Sequence, residues 1–223
     1  MAHFLSSHID HTKLGPTVTL DQIYKLIKEA KYYHFRGVCL PSCYLKEAKS
    51  IIKDSNILIV IPISFPFGQD SLDIKIDSAL WCVDNGADEI DMVFNIGRFK
   101  NKEFLNVENE IALIKKKIGK KILKVIIETA LLTKEEIITA TQIIINSGAD
   151  FIKTSTGYAE KGADLEEIKI IKKHIGSNKL LIKASGGIKT SKSCQEMIEA
   201  GASVIGTSNG VSIILEKTPL ENY

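Results

Sequence analysis

The chain repeats one small unit, a Gly-Ala pair followed at once by an apolar run. Gly86-Ala87-Asp88-Glu89-Ile90-Asp91, Gly148-Ala149-Asp150-Phe151-Ile152-Lys153 and Gly201-Ala202-Ser203-Val204-Ile205-Gly206 align without gaps. A glycine just past a helix adopts the left-handed conformation that ends it, so each unit reads as helix end, then strand. The alternation runs through the whole chain. Strands are expected near 9–12, 37–40, 57–61, 89–94, 122–127, 151–154, 180–184 and 204–206. Helical apolar spacing follows each, over 20–31, 45–52, 74–85, 104–118, 134–146, 165–174, 191–199 and 211–216. Run 57–61 is apolar throughout, as a strand covered on both faces should be. Strand–helix alternation implies a parallel sheet. Eight units in 223 residues imply one α/β domain over residues 1–223, closed as a (β/α)8 TIM barrel. An open doubly wound sheet is the competing architecture.

Composition removes several function classes. Lysine and arginine number 29 against 27 aspartates and glutamates, a net charge of +2 that argues against a nucleic-acid protein. Lys115, Lys116 and Lys117 sit near a helix C-terminus, where cations oppose the macrodipole, and read as a solvated face. No apolar run approaches the ~20 residues that span a bilayer, and the N-terminus lacks signal-peptide character, so cytoplasm is the default. Cys39, Cys43, Cys82 and Cys194 form no C-x-x-C pair and read as reduced, partly core residues. Of His3, His8, His11, His34 and His174, only His8 and His11 lie near a strand. No converging imidazoles are visible, so neither a metal nor any other cofactor is expected. Trp81 sits at helical spacing and reads as core.

Chemistry is concentrated at the strand ends. The fifth residue after each repeat glycine is Asp91, Lys153 or Gly206, on strands four, six and eight. Alternate strands of such a barrel supply one layer of interior side chains, so equal offsets predict one height and one direction, inward. An ammonium among apolar neighbours incurs a desolvation cost, which favours a neutral amine able to attack a carbonyl. Lys153 is the candidate. Lys183 lies within the next strand, where a second cation disfavours protonation of the first, and Asp91 can pair with a lysine or pass protons. A purely structural ion-pair network plugging the barrel would use the same residues. Ser185-Gly186-Gly187 and Gly206-Thr207-Ser208-Asn209-Gly210 follow strands seven and eight, where barrels of this kind commonly hold phosphate.

These segments resemble a known family. Ile9-Asp10-His11-Thr12, Gly86 to Val93, Lys124-Val125-Ile126-Ile127-Glu128-Thr129, Phe151 to Gly157 and Ile182 to Ile188 are similar, in order and over nearly the whole chain, to deoxyribose-phosphate aldolase. The resemblance implies a class I lyase that reversibly cleaves 2-deoxy-D-ribose 5-phosphate to D-glyceraldehyde 3-phosphate and acetaldehyde. It implies Lys153 as the Schiff-base lysine, Lys183 as the lysine that tunes it, and Asp91 in proton transfer through water. Thr12, Thr156, Gly157, Gly186, Gly187, Ser208 and Asn209 fall at substrate-holding positions. Tyr223 ends a tail expected to be mobile, from which it would either reach the site and assist protonation or fray as an exposed terminus. Pro41-Ser42, Pro62 and Ser64 depart from the family pattern in ways that bear on pocket shape. Asn209 and Tyr158 depart in ways that bear on phosphate affinity. The expected partner is a small sugar phosphate, not nucleic acid or membrane, with a homo-oligomer left open. The alternatives are another phosphosugar-acting TIM-barrel lyase or isomerase, or a sugar-phosphate-binding barrel without turnover.

Overall fold

Eight parallel strands close on themselves in chain order, β1-β2-β3-β4-β5-β6-β7-β8, in a computed structural model that describes residues 2–53 and 55–216. The strands are β1 (Ile9–Thr12), β2 (Gly37–Cys39), β3 (Leu58–Ile63), β4 (Glu89–Val93), β5 (Ile122–Ile126), β6 (Phe151–Lys153), β7 (Leu181–Ser185) and β8 (Val204–Thr207). A short helix, α1 (Ala2–Ser6), precedes β1 and packs against the last two helices of the chain. Helices α2 (Leu20–Tyr33), α3 (Leu45–Ile52) and α4 (Leu72–Asp84) follow β1 to β3, and α5 (Ile96–Lys100) and α6 (Phe104–Ile118) both follow β4. The ring continues with α7 (Lys134–Ser147), α8 (Leu165–Ile175), α9 (Ser191–Glu199) and α10 (Gly210–Leu215), one after each remaining strand. The fold is the expected (β/α)8 TIM barrel, and the open sheet is excluded because β1 pairs with β8.

Local chemistry sets the helix starts. Thr19, Thr133 and Thr190 each close a capping box, with Gln22, Glu136 and Ser193 as reciprocal partners. The repeat glycines Gly86, Gly148 and Gly201 all have positive φ, at 102°, 75° and 121°, which turns the chain from helix into strand. Two details differ from the sequence reading. β3 does not stop before Pro62; it continues to Ile63, with Pro62 opposite Asp91 and Ile63 opposite Met92 in the ladder to β4. Helices α1 and α5 were not expected, because five residues are too few to show a helical period. Asn95 starts α5 by accepting from the Arg98 N–H.

The apolar core lies between ring and helices. Outward-facing Ile59, Ile61, Ile90, Met92, Leu123, Val125, Ile152 and Ile182 meet Ile23, Ile27, Ile111, Ile114, Ile144, Ile168 and Ile171, all almost wholly buried. The strand interiors are different. Ladder register puts Gly37, Glu89, Phe151 and Val204 in a lowest layer, and Asp10, Val60, Lys124 and Lys183 above them. Cys39, Asp91, Lys153 and Gly206 form the third, nearest the strand C-termini. Aliphatic packing thus stabilises the barrel from outside, while the lumen carries charge.

Candidate active site

Asp91 is the hub of that charge. Its Oδ2 accepts from both Lys153 Nζ and Lys183 Nζ at 2.8 Å, and its Oδ1 accepts from Lys124 Nζ at 2.8 Å. Lys183 also donates to Asp10 at 2.6 Å, and Lys124 pairs with Glu89 at 2.5 Å. Arg36 enters from below to bridge Asp10, at 2.7 Å, and Glu89. Four basic side chains therefore meet three carboxylates. Arg36, Lys124 and Lys183 each touch two of them, whereas Lys153 touches only Asp91, through an oxygen it shares. A buried network with one positive charge too many sheds a proton where it is held least, and that place is Lys153.

The protonation energetics agree. Burial is the largest influence on Lys153 and lowers its pKa; Asp91 pulls it back up, and the charge on Lys183 pushes it down again. Lys183, equally buried, moves the other way, because Asp10 and Asp91 outweigh the burial penalty and hold its proton. Burial disfavours the Asp91 carboxylate, but Lys124, Lys153 and Lys183 overcome this and keep it ionised well below the usual range. Desolvation, the first cause named from the sequence, outweighs the crowding by Lys183 in making Lys153 a poor holder of a proton.

Above this floor lies a cavity of about 450 Å³. Lys153 opens into it, and Thr12, Thr156, Gly157, Gly186, Gly187, Ser208 and Asn209 all line it. Asp91 and Lys183 lie beneath, fully buried. The walls are stitched together from two loops. The Ala163 N–H is shared between Ser185 O (2.9 Å) and Gly186 O (3.1 Å), and the Ser185 N–H donates to Thr154 Oγ1 at 3.1 Å. Gly186 and Gly187 have φ of 83° and 75°, a conformation that admits glycine at little cost. The Thr156 hydroxyl is engaged with Glu128 and accepts from the Tyr158 N–H at 3.1 Å.

Residues 6–217 match the profile of the DeoC/LacD family aldolases. The chain belongs to this family. It is 51% identical over 98% of its length to a deoxyribose-phosphate aldolase of Mycoplasmopsis pulmonis, of which it covers 99%. Among solved structures, "QR15, an aldolase" superposes with TM-score 0.91 at 37% identity, covering 95% of each chain. The deoxyribose phosphate aldolase of Aeropyrum pernix, described as a tetramer, superposes at 0.88 with 29% identity, over 97% of this chain and 92% of that one.

In this aldolase the sequence reading missed half of the lumen. Lys124, Asp10 and Glu89 interrupt apolar strands just as Lys153 and Lys183 do, so the signal was present and was followed only for Asp91, Lys153 and Lys183. Arg36 precedes its strand and carries no such signal. Lys189, in the loop after β7, lines the cavity and was also passed over. Trp81, expected in the core, is 44% exposed, with Lys46 Nζ 5.8 Å from its ring, and lines a second cavity of about 760 Å³ beside the first. Cys39, Cys82 and Cys194 are buried and Cys43 exposed, all as free thiols. Among the described residues no cluster of three or more metal-binding side chains occurs, and no helix is long and apolar enough to cross a membrane. Tyr223 lies outside the described residues.

Proposed function

We propose that this aldolase cleaves 2-deoxy-D-ribose 5-phosphate reversibly to D-glyceraldehyde 3-phosphate and acetaldehyde through a Schiff base on Lys153. One observation carries the reading. The least-paired lysine of a buried, charge-crowded network is also the one that opens into the cavity. Neutral Lys153 Nζ adds to the C1 aldehyde of the open-chain substrate, and loss of water leaves a protonated imine. Removal of the C3 hydroxyl proton then breaks the C2–C3 bond. Its electron pair flows to the imine nitrogen, glyceraldehyde 3-phosphate departs, and an enamine remains. Protonation at C2 and hydrolysis release acetaldehyde and restore Lys153.

The C3 hydroxyl proton leaves and the C2 proton arrives through water, Asp91 and Lys183, with Asp91 Oδ2 tying the Lys183 ammonium to Lys153. The Asp91 carboxylate is so strongly held ionised that we assign it to anchoring and relay within this trio. Thr156, Gly157, Gly186, Gly187, Ser208 and Asn209, with Lys189, suit the phosphate end of the substrate, and Thr12 suits the hydroxyl end. A sugar phosphate is thus the partner this cavity fits. Self-association, as in the tetrameric relative, is a separate matter that sedimentation of the purified chain decides.

The test is direct. Turnover of deoxyribose 5-phosphate should persist with a chelator present, and borohydride with acetaldehyde should leave a reduced adduct on Lys153. An adduct on Lys183 would reverse the two assignments, and a panel of other phosphosugars turned over faster would favour a different lyase or isomerase.

A further inference from the structure

One buried carboxylate near the nucleophile takes no part in the lumen network. Glu128 follows β5 in the left-handed region, with φ 50° and ψ 71°, and is 4% exposed. Its neighbours fix it astride the end of β6: the Ile127 N–H donates to Lys153 O at 3.0 Å, and the Thr129 N–H donates to Thr154 O at 2.9 Å. A non-glycine residue held at positive φ is sustained only where surrounding contacts impose it. The carboxylate accepts from the Thr156 N–H, at 3.2 Å, and from the Thr156 hydroxyl. Both donors are neutral, and none of the ion pairs formed by the described residues involves Glu128. Thr156, which Glu128 holds, lines the same cavity that Lys153 opens into.

The charges then add up differently in the free enzyme and in the intermediate. With Lys153 neutral, Arg36, Lys124 and Lys183 balance Asp10, Glu89 and Asp91. When Lys153 becomes a protonated imine, the lumen gains a positive charge that no network carboxylate is left to match. Glu128, bonded to Thr156 on the wall of that cavity, is an anion outside this balance. We infer that Glu128 is a positioning residue that holds the Thr154–Tyr158 turn and supplies the counter-charge for the cationic imine at Lys153. This inference rests on the Schiff-base reading above. Burial raises the Glu128 pKa, opposed by its two Thr156 bonds and the field of Lys153, so the carboxyl is poised to respond to a new cation nearby.

The experiment compares wild type, Glu128→Gln and Glu128→Asp by the rate at which acetaldehyde and borohydride form the Lys153 adduct, across pH and by intact mass. Glu128→Gln should trap about tenfold more slowly, the equivalent of about one unit in the imine's acidity. Its kcat should fall in step while KM for the sugar phosphate moves less. Glu128→Asp, which keeps the charge, should remain closer to wild type. Equal trapping by Glu128→Gln and wild type overturns the inference, as does an equal loss in both variants, which would mark a purely structural latch. Absence of any Lys153 adduct in wild type instead sinks the Schiff-base reading itself. Should Glu128→Gln not fold, Thr156→Val removes a donor that stabilises the carboxylate. The acid limb of trapping must then move to higher pH, and an unmoved limb rejects the inference.

Discussion

At the scale of single residues, the site works by unequal treatment of two like groups. Lys153 and Lys183 are buried alike and bond the same Asp91 oxygen, yet one is driven toward the amine and the other toward the ammonium. The difference is Asp10, which only Lys183 reaches. Replacing Lys183 by methionine should therefore raise the Lys153 pKa: a repelling cation is lost, and Asp91 is left with fewer donors to serve. The acid limb of the kcat/KM profile should move to higher pH, with turnover at neutral pH down by about two orders of magnitude. A profile that keeps its limb would show that Lys183 does not tune the nucleophile. The sequence revealed the pair because each lysine stands inside an apolar strand. It could not reveal Asp10 as their discriminator, since Asp10 and Lys183 are 173 residues apart and meet only when β1 closes on β8.

At the scale of elements, most of the architecture was legible because periodicity and caps speak locally. Leu45–Ile52, Phe104–Ile118 and Ser191–Glu199 fall where their apolar spacing placed them. What escaped was either too short to be periodic, as in α5, or depended on a neighbour, as in β3 continuing through Pro62 along β4. Loop contacts were equally hidden. Gly162 gave no sequence signal, yet a Cβ there would lie 2.3 Å from both the carbonyl carbon and oxygen of Gly186. Backbone cannot yield as a flexible side chain can. Gly162→Ala should force apart the two loops that wall the cavity and stretch the Ala163 N–H bonds. We expect a rise in KM and up to a hundredfold loss of kcat/KM, as a shift of about 1 Å can cause, while borohydride still traps Lys153. Gly97→Ala, whose Cβ would meet only Asn95 Oδ1 at 3.5 Å, is the neutral control. Equal kinetics in both would remove the loop contact from the account of binding.

At the scale of the whole molecule, the lumen charges should write themselves into the pH dependence of stability. Asp10 is held at about 2 against an ordinary 3.8: burial opposes its ionisation, but Lys183, Arg36 and Lys124 outweigh it. A carboxyl depressed on folding binds fewer protons in the native than in the unfolded chain. Its stabilisation is present above the unfolded pKa and disappears as pH falls through the folded one. For Asp10 that window lies between roughly pH 4 and pH 2 and involves about 2 kcal/mol. Asp91, also depressed, adds in the same direction and extends the loss to lower pH. Glu128 is shifted the opposite way and favours folding below its raised pKa, so it supplies no acid loss; Lys153 is lowered like the two carboxyls, and its advantage is lost as pH falls from 10.5 through its lowered pKa. Urea midpoints should hold near neutral pH and then fall steeply below about pH 4. Asp10→Asn should cost about 3–5 kcal/mol at pH 7, because Lys183 and Arg36 each lose a buried partner. The variant must also be flatter between pH 4 and pH 2, so that the two curves converge in acid. Parallel curves would mean that Asp10 is not ionised in the folded barrel, and the charge balance that singles out Lys153 would fall with it.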